Sequence, residues 1–294
     1  MVDGTEGPCR LTRDEIRQRI AEITYLRLSG DIERFIAHFA ADVTVHYNCE
    51  KAHLFNPGVL YGAAAFRQNI QQVEEVYRGV ADEILDVLIE DQRAWVRWRT
   101  RWRHIGAGAV YDLDMAYFLR WRGDKVVELH EFFDTPVPSA YGRALVDEID
   151  DLVKSKPAGL TRAEILELVE FLAKLPTTCG SKTSLFRQHC APGVVSEFVG
   201  DRKRIPYAGR HCGVDALMAI VQSIAVDFEQ LNYRLEDIVI DENRVALRRS
   251  VDWRHRGTGR RGVVALAEFL RFENGLIAEL IEFRDSVTMV RMGE

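Results

Sequence analysis

The sequence predicts an α+β protein of two like domains, each a curved antiparallel sheet wrapped over three helices. Three observations predict it. The first is an internal repeat: Trp102-Arg103-His104, followed by Gly106 and Gly108, returns as Trp253-Arg254-His255, followed by Gly257 and Gly259. At that offset (255 − 104 = 151) the segments Gly62–Thr135 and Gly213–Ser286 align without a gap and share 21 identities in 74 positions. Unrelated chains matching at roughly one position in sixteen would share about five. The second is a change of hydrophobic period from helical to alternating within each half. The third is length, since 294 residues suit about two domains of roughly 150, each able to bury its own core. The chain is a tandem duplication, and a fold for one half is a fold for both.

The elements follow in order. Residues 1–10 read as a loose tail. Thr12 and Glu15 form a capping box, and Ile16, Ile20 and Ile23 share one helical face. Ser29-Gly30 ends that helix, and Asp31 caps a second that carries Ile32, Phe35, Ile36 and Phe39 inward. Val43–Asn48 reads as a strand and Lys51–Tyr61, with Pro57-Gly58, as a loop. Gly62 to about Arg78 is a third helix, with Phe66, Ile70, Val73 and Tyr77 at helical spacing. Four strands follow at Ile84–Ile89, Arg93–His104, Val110–Trp121 and Val126–Phe133, divided by Glu90-Asp91, Gly106-Ala107-Gly108 and Gly123-Asp124. A linker at 136–159, with a short helix around Leu145, Ile149 and Leu152, joins domain 1 (11–135) to domain 2 (160–290). Thr161 and Glu164 then repeat the capping box. Ile165, Leu168, Val169 and Leu172 follow, then a short helix at Ser184–Cys190, a strand near Val194–Val199, a loop with Pro206, a helix from Gly213 and four strands.

Composition narrows the function classes. A net charge of −6 argues against a general nucleic-acid binder. The start of the chain lacks the basic and apolar regions of a signal peptide, and no apolar run approaches the ~20 residues of a bilayer span. Five cysteines with no close pairing pattern fit reduced thiols in a cytoplasmic protein. His189-Cys190 and His211-Cys212 match no compact zinc module, and no Gly-rich phosphate loop is present. No cofactor, metal, nucleic acid or membrane is expected.

The element order, the strand holding Trp98, His104 and Gly106, and the ending Gly123-Asp124-Lys125-Val126-Val127-Glu128 with Asp134 resemble the SnoaL-like branch of the nuclear transport factor 2-like superfamily. His255, Gly257, Asn274-Gly275-Leu276-Ile277-Ala278-Glu279 and Asp285 repeat the resemblance. It implies two cone-shaped α+β barrel domains, packed as an intramolecular pseudo-dimer with further self-association open. It also implies a pocket on the concave face of each sheet. The superfamily includes polyketide cyclases, ketosteroid isomerase, scytalone dehydratase, limonene epoxide hydrolase and many non-catalytic modules, so the fold alone does not choose the activity.

Candidate chemistry centres on Arg93–His104, whose residues alternate faces. Trp98, Thr100, Trp102 and His104 lie on one face, which the resemblance turns toward the pocket; Arg97, Arg99, Arg101 and Arg103 lie on the other. That arginine face would meet the partner repeat, with Arg101 near its equivalent, Asp252. His104 is the first candidate for proton transfer, against a structural role tying the Gly-x-Gly hairpin. Asp112 and Asp114, on the returning strand, could reach it if the register puts them on its face; a carboxylate there fixes the tautomer of a His base or acts as base itself. Val263 and Ala265 replace them in the second half, so the first half is expected to carry the principal chemistry. Glu131 and Glu282 stand where limonene epoxide hydrolases, by resemblance, carry a water-activating Asp. His46 and Asn48 stand where those enzymes hold the water. Arg99 fits one further member of that hydrolase set, but Arg101 stands where its second acid belongs. Asp252 and Glu282 offer an alternative carboxylate pair. Tyr47, Trp98, Trp102, Met115 and Tyr117 would shape the pocket. The leading expectation is a cofactor-independent isomerase, lyase or cyclase on a small, largely apolar, oxygenated molecule. The alternatives are an epoxide hydrolase or cyclase of the limonene or polyether type, and a non-catalytic small-molecule binding module.

Overall fold

The structure, a computed structural model, describes residues 10–48, 58–133, 159–174 and 186–294. The predicted tail, most of the loop after Asn48 and nearly all of the linker with its short helix lie outside these residues. The chain divides between Phe133 and Asp134 into two compact units.

In the first unit, α1 (Arg13–Ser29) starts on the Thr12–Glu15 capping box and stops at Gly30, whose φ of 74° suits a residue without a Cβ. A short α2 (Ile32–Ile36), capped by Asp31, leads into β1 (Phe39–Tyr47). Then follow β2 (Val59–Tyr61), α3 (Ala63–Val76), β3 (Tyr77–Glu90), β4 (Arg93–His104), β5 (Val110–Arg122) and β6 (Lys125–Phe133). The six strands are ordered β2-β1-β6-β5-β4-β3. The expected antiparallel sheet is in fact mixed, because β1 runs parallel to β6. Val59–Tyr61, the end of the stretch read as a loop, forms β2 and pairs antiparallel with β1, and the starts of β3 and β1 move as well. Tyr77, read at helical spacing, opens β3, because pairing with His104 and the edge-on contact of their rings at 5.1 Å use it better there. Phe39 opens β1 and still packs on Phe35 and Phe66, at 5.1 and 5.0 Å between centroids.

Long strands bent by bulges give the sheet its curve. β3 shifts register between Gly79 and Ala81 and again between Ile84 and Asp86. Gly79 is needed at the first bulge, since a Cβ there would lie 2.8 Å from Leu28 Cδ1 and 3.0 Å from Leu28 O. The concave face and the helices bury one core, including Ile16, Ile20, Phe35, Phe66, Trp98, Tyr117 and Leu129.

The second unit repeats this plan with α4 (Arg162–Lys174), β7 (Cys190–Phe198), β8 (Gly209–Cys212), α5 (Val214–Asp227), β9 (Phe228–Asp241), β10 (Arg244–His255), β11 (Arg261–Glu273) and β12 (Leu276–Arg284). Its strand order, β8-β7-β12-β11-β10-β9, matches that of the first. A C-terminal helix absent from the sequence reading, α6 (Ser286–Gly293), is capped by Asp285, whose Oδ1 accepts from Thr288 N at 3.1 Å. Among the described residues no helix is long and apolar enough to cross a membrane.

Candidate functional site

Strand register decides which predicted residues meet. Arg99 stands opposite Asp114 and Arg101 opposite Asp112 across β4 and β5. Directly opposed residues share a face, so both acids lie on the arginine face and not beside His104. Arg99 Nε donates to Asp114 at 2.8 Å, and Arg101 binds Asp112 through two bonds of 2.6 and 3.1 Å. The expected His104–Asp pairing is therefore not assembled, and the Arg101 guanidinium is held within its own sheet. His104 ties the hairpin instead: its Nδ1 accepts from Ala107 N at 3.0 Å. His255 does the same for Thr258 N at 3.1 Å. A repeated geometric duty explains a repeated histidine.

The concave face of the first repeat gathers a different set. Tyr47, Tyr117 and Glu131 sit in register on β1, β5 and β6. The Tyr117 hydroxyl donates to the Glu131 carboxylate, and Tyr47 Oη donates to Asn69 Oδ1 at 2.6 Å. Burial raises the Glu131 pKa above its ordinary value, against the opposing pull of Tyr117 and of the Arg27 charge. Burial and the Glu131 charge push Tyr117 well up. Trp98 and Met115 fill the space beside them, with the Trp98 and Tyr117 rings 4.5 Å apart. Trp102 is capped by the Arg27 guanidinium, 4.5 Å from its ring, and Arg27 bonds Glu74 at 2.6 Å.

His46 and Asn48 do not join this set. His46 lies on the opposite face, its ring stacked on His130 at 4.0 Å and 5°, and Asn48 Nδ2 donates to the Glu131 backbone oxygen at 3.2 Å. His46, Glu128 and His130 bring three ligand atoms within 4.8 Å of one another. Nearly parallel rings direct their in-plane lone pairs along parallel planes, so a metal ion there requires one ring to turn.

The second repeat replaces the aromatic filling with charge around a cavity of about 120 Å³. Its walls are apolar, with Leu217, Val221, Leu247, Leu270 and Leu280 among them; Arg249, Glu268, Glu282 and Arg284 also line it. At the 151 offset, Arg249 replaces Trp98, Glu268 replaces Tyr117, Arg284 replaces Phe133, and Glu282 is the counterpart of Glu131. Glu268 and Glu282 oppose each other directly across β11 and β12, a destabilising pair of like charges if left alone. Arg249 lies between them. Its Nε and Nη2 bond Glu268 at 3.0 and 2.5 Å, and Nη2 lies 3.7 Å from Glu282 Oε2. Arg284 bonds Glu282 Oε1 and, at 2.6 Å, Tyr207 Oη. Burial opposes the charge on both guanidiniums: it lowers the Arg284 pKa, whereas at Arg249 the adjoining Glu268 outweighs it and the pKa is raised. Asp252 is on the other face of β10, opposite Val263 on β11, and is no partner for Glu282.

Sequence reasoning missed Arg249, Glu268 and Arg284. Their signal is one of parity: Arg249 and Glu268 fall in inward rows that are otherwise apolar, Leu247-x-Arg249-x-Val251-x-Trp253 and Leu266-x-Glu268-x-Leu270, and Arg284 follows Glu282 in the row of Leu280.

No curated protein matches the chain. Among solved structures, an NTF2-like protein from Burkholderia xenovorans LB400 is 20% identical, with 42% of this chain and 92% of that one covered at a TM-score of 0.37. A provisionally assigned isomerase from Rhodopseudomonas palustris is 20% identical, covering 37% and 82% at 0.35. A provisionally assigned SnoaL-like polyketide cyclase from Jannaschia sp. CCS1 is 16% identical, covering 43% and 89% at 0.38. The model of the SnoaL-like domain matches residues 23–129 and again 182–280. With most of its length in those two matches, the chain belongs to the SnoaL-like domain family, as two such domains in tandem.

Proposed function

We propose that the chain is an acid–base enzyme acting on a small, largely apolar, oxygenated molecule, with the second repeat's cavity as its principal site. One observation carries this: an apolar cavity of about 120 Å³ that two carboxylates and two guanidiniums line. Glu268 uses both oxygens on Arg249, and Glu282 Oε1 is taken by Arg284. Glu282 Oε2, 3.7 Å from Arg249, is the carboxylate oxygen least engaged, and it is assigned as the proton acceptor. Arg249 and Arg284, fixed in a desolvated setting, would stabilise negative charge developing on a substrate oxygen. A proton taken from the carbon beside a carbonyl leaves an enolate: return of the proton to another carbon gives isomerisation, its delivery to a departing hydroxyl releases water in an elimination, and attack of the enolate carbon on a second carbonyl, whose oxygen takes the proton, closes a ring.

A second reading has a specific observation of its own. The chain Glu268–Arg249–Glu282 has the carboxylate–guanidinium–carboxylate composition that ring opening of an epoxide employs. There one acid would direct water and the other would carry a proton to the ring oxygen.

The test incubates the intact chain with a panel of small cyclic ketones and epoxides in D₂O and in ¹⁸O-labelled water. Deuterium entering beside a carbonyl supports proton transfer, and ¹⁸O entering an epoxide-derived product supports ring opening. Either activity should vanish in Glu282→Gln. Activity that persists in Glu282→Gln overturns the assignment, and no incorporation from any member of the panel leaves the binding-module reading in its place.

A further inference from the structure

The cavity of the second repeat is bordered by two side chains with buried donors that the protein does not satisfy. Arg284 is 6% exposed and Trp253 4%, and neither Arg284 Nε nor Trp253 Nε1 has a hydrogen-bond partner. Both residues line the same open volume, and the Arg284 guanidinium carbon lies 5.9 Å from the centre of the Trp253 ring. Folded proteins rarely leave buried donors unmet, and each of these groups can only donate. What is missing is an acceptor, and the cavity is where a ligand can bring one.

Charge and size narrow the class of that ligand. Arg249 and Arg284 balance Glu268 and Glu282, so the polar wall is already neutral. A carboxylate ligand would add an uncompensated charge to a desolvated site, whereas a ketone or ester oxygen would not. The volume of about 120 Å³ is somewhat below the about 150 Å³ known to hold benzene, which suits one ring and not a fused polycycle. We infer that the second repeat binds a neutral, single-ring carbonyl compound with its oxygen directed at Arg284 Nε and Trp253 Nε1. The inference rests on the reading that this cavity is the ligand site.

Three probes test it on the intact chain: cyclohexanone, its isostere methylenecyclohexane, which lacks the oxygen, and cyclohexanecarboxylate. The readout is the indole N–H resonance of Trp253 in ¹⁵N-labelled protein, assigned among the five tryptophans by its loss in Trp253→Phe. Cyclohexanone should shift that resonance and bind about tenfold more tightly than methylenecyclohexane, the order of one hydrogen bond's net worth. It should also bind more tightly than the carboxylate. Trp253→Phe should remove most of the ketone's advantage while leaving methylenecyclohexane binding unchanged. Equal affinity for the two isosteres, tighter binding of the carboxylate, or no binding of any probe would overturn the inference. Leu247→Trp, which fills the cavity, separates this from the reading beneath it. If that variant binds every probe as the native chain does, the cavity is not the ligand site. If it abolishes binding but the isosteres are equal in the native chain, only the donor assignment fails.

Discussion

Exchanging the polar wall of the second repeat for the filling of the first should reveal what the charges do. The perturbation is Arg249→Trp, Glu268→Tyr and their combination, which places the first repeat's Trp98 and Tyr117 at the equivalent positions. The Arg249 and Glu268 side chains are 15% and 11% exposed, and Arg249 is also the only cation Glu268 bonds among the described contacts. Arg249→Trp leaves Glu268 buried without its partner and removes the ion between Glu268 and Glu282. Breaking a buried pair from one side costs on the order of 3–5 kcal/mol. Replacing both ions by packed apolar groups is often neutral or stabilising, and the first repeat supplies a working precedent, its two rings 4.5 Å apart. The double variant should therefore recover most of the loss. Two units need not unfold as one transition, so the assay is urea unfolding followed by the Trp253 indole resonance, which reports on the second unit. A coupling energy near zero, with the double variant no more stable than the sum of the singles, would refute the reasoning. Ligand binding gives a second check, because the double variant should be folded yet unable to bind, with its cavity occupied by rings.

The remaining predictions concern histidine, pH and thiols. His104→Ala and His255→Ala should each lower the stability of their own unit by about 1 kcal/mol, the worth of one hydrogen bond, seen as a fall in Tm with turnover in the second repeat unchanged; a hundredfold loss of turnover in either would restore a catalytic histidine. Burial raises the Glu131 and Asp82 pKa values, so the folded first unit holds protons more tightly than its unfolded chain. Stability from these groups is present below the ordinary carboxylate range and declines as pH rises toward the raised values. Glu131→Gln should flatten that decline, and an unchanged pH profile of Tm would contradict the assignment. Cys190 is buried and its thiol is pushed up to about 12, whereas Cys212 is exposed. Peptide-level mass spectrometry after iodoacetamide at pH 8 should find Cys212 labelled and Cys190 protected until the second unit unfolds.

The duplication and the order of elements were legible because they are properties of long stretches. Twenty-one identities in 74 positions and repeated capping boxes survive any local error. The edges were less so: Tyr77 has the spacing of a helix and the propensity of a strand, and only the pairing with His104 separates them. The terminal helix was announced by Asp285 three residues before Thr288, a local cap that one sequence offers in many places without a helix after it. The parallel pairing of β1 with β6 joins segments about 85 residues apart, and no local pattern encodes that partnership.

The site was harder to read for one physical reason. A strand's period of two assigns each side chain to a face only after the register is known, and a hairpin of uncertain length leaves the register open. With His104 bonded back to the hairpin and Arg103 opposite Val110, Asp112 and Asp114 fall with the arginines. One residue of slip would have reversed this. The inner rows of the second repeat needed no such knowledge, since Leu247, Arg249, Val251 and Trp253 share a face by parity alone. A charge inside an inward-facing row must be buried with partners or removed, and three adjacent strands that carry four between them, one on β10, one on β11 and two on β12, must bring them together. Arg249, Glu268, Glu282 and Arg284 are that case. The duplication makes the contrast internal: the same positions in the first repeat hold Trp98, Tyr117, Glu131 and Phe133, and there a single acid bonded to its tyrosine suffices. Divergence between two copies of one scaffold thus marks the second repeat's cavity as the place where apolar packing was given up for polarity.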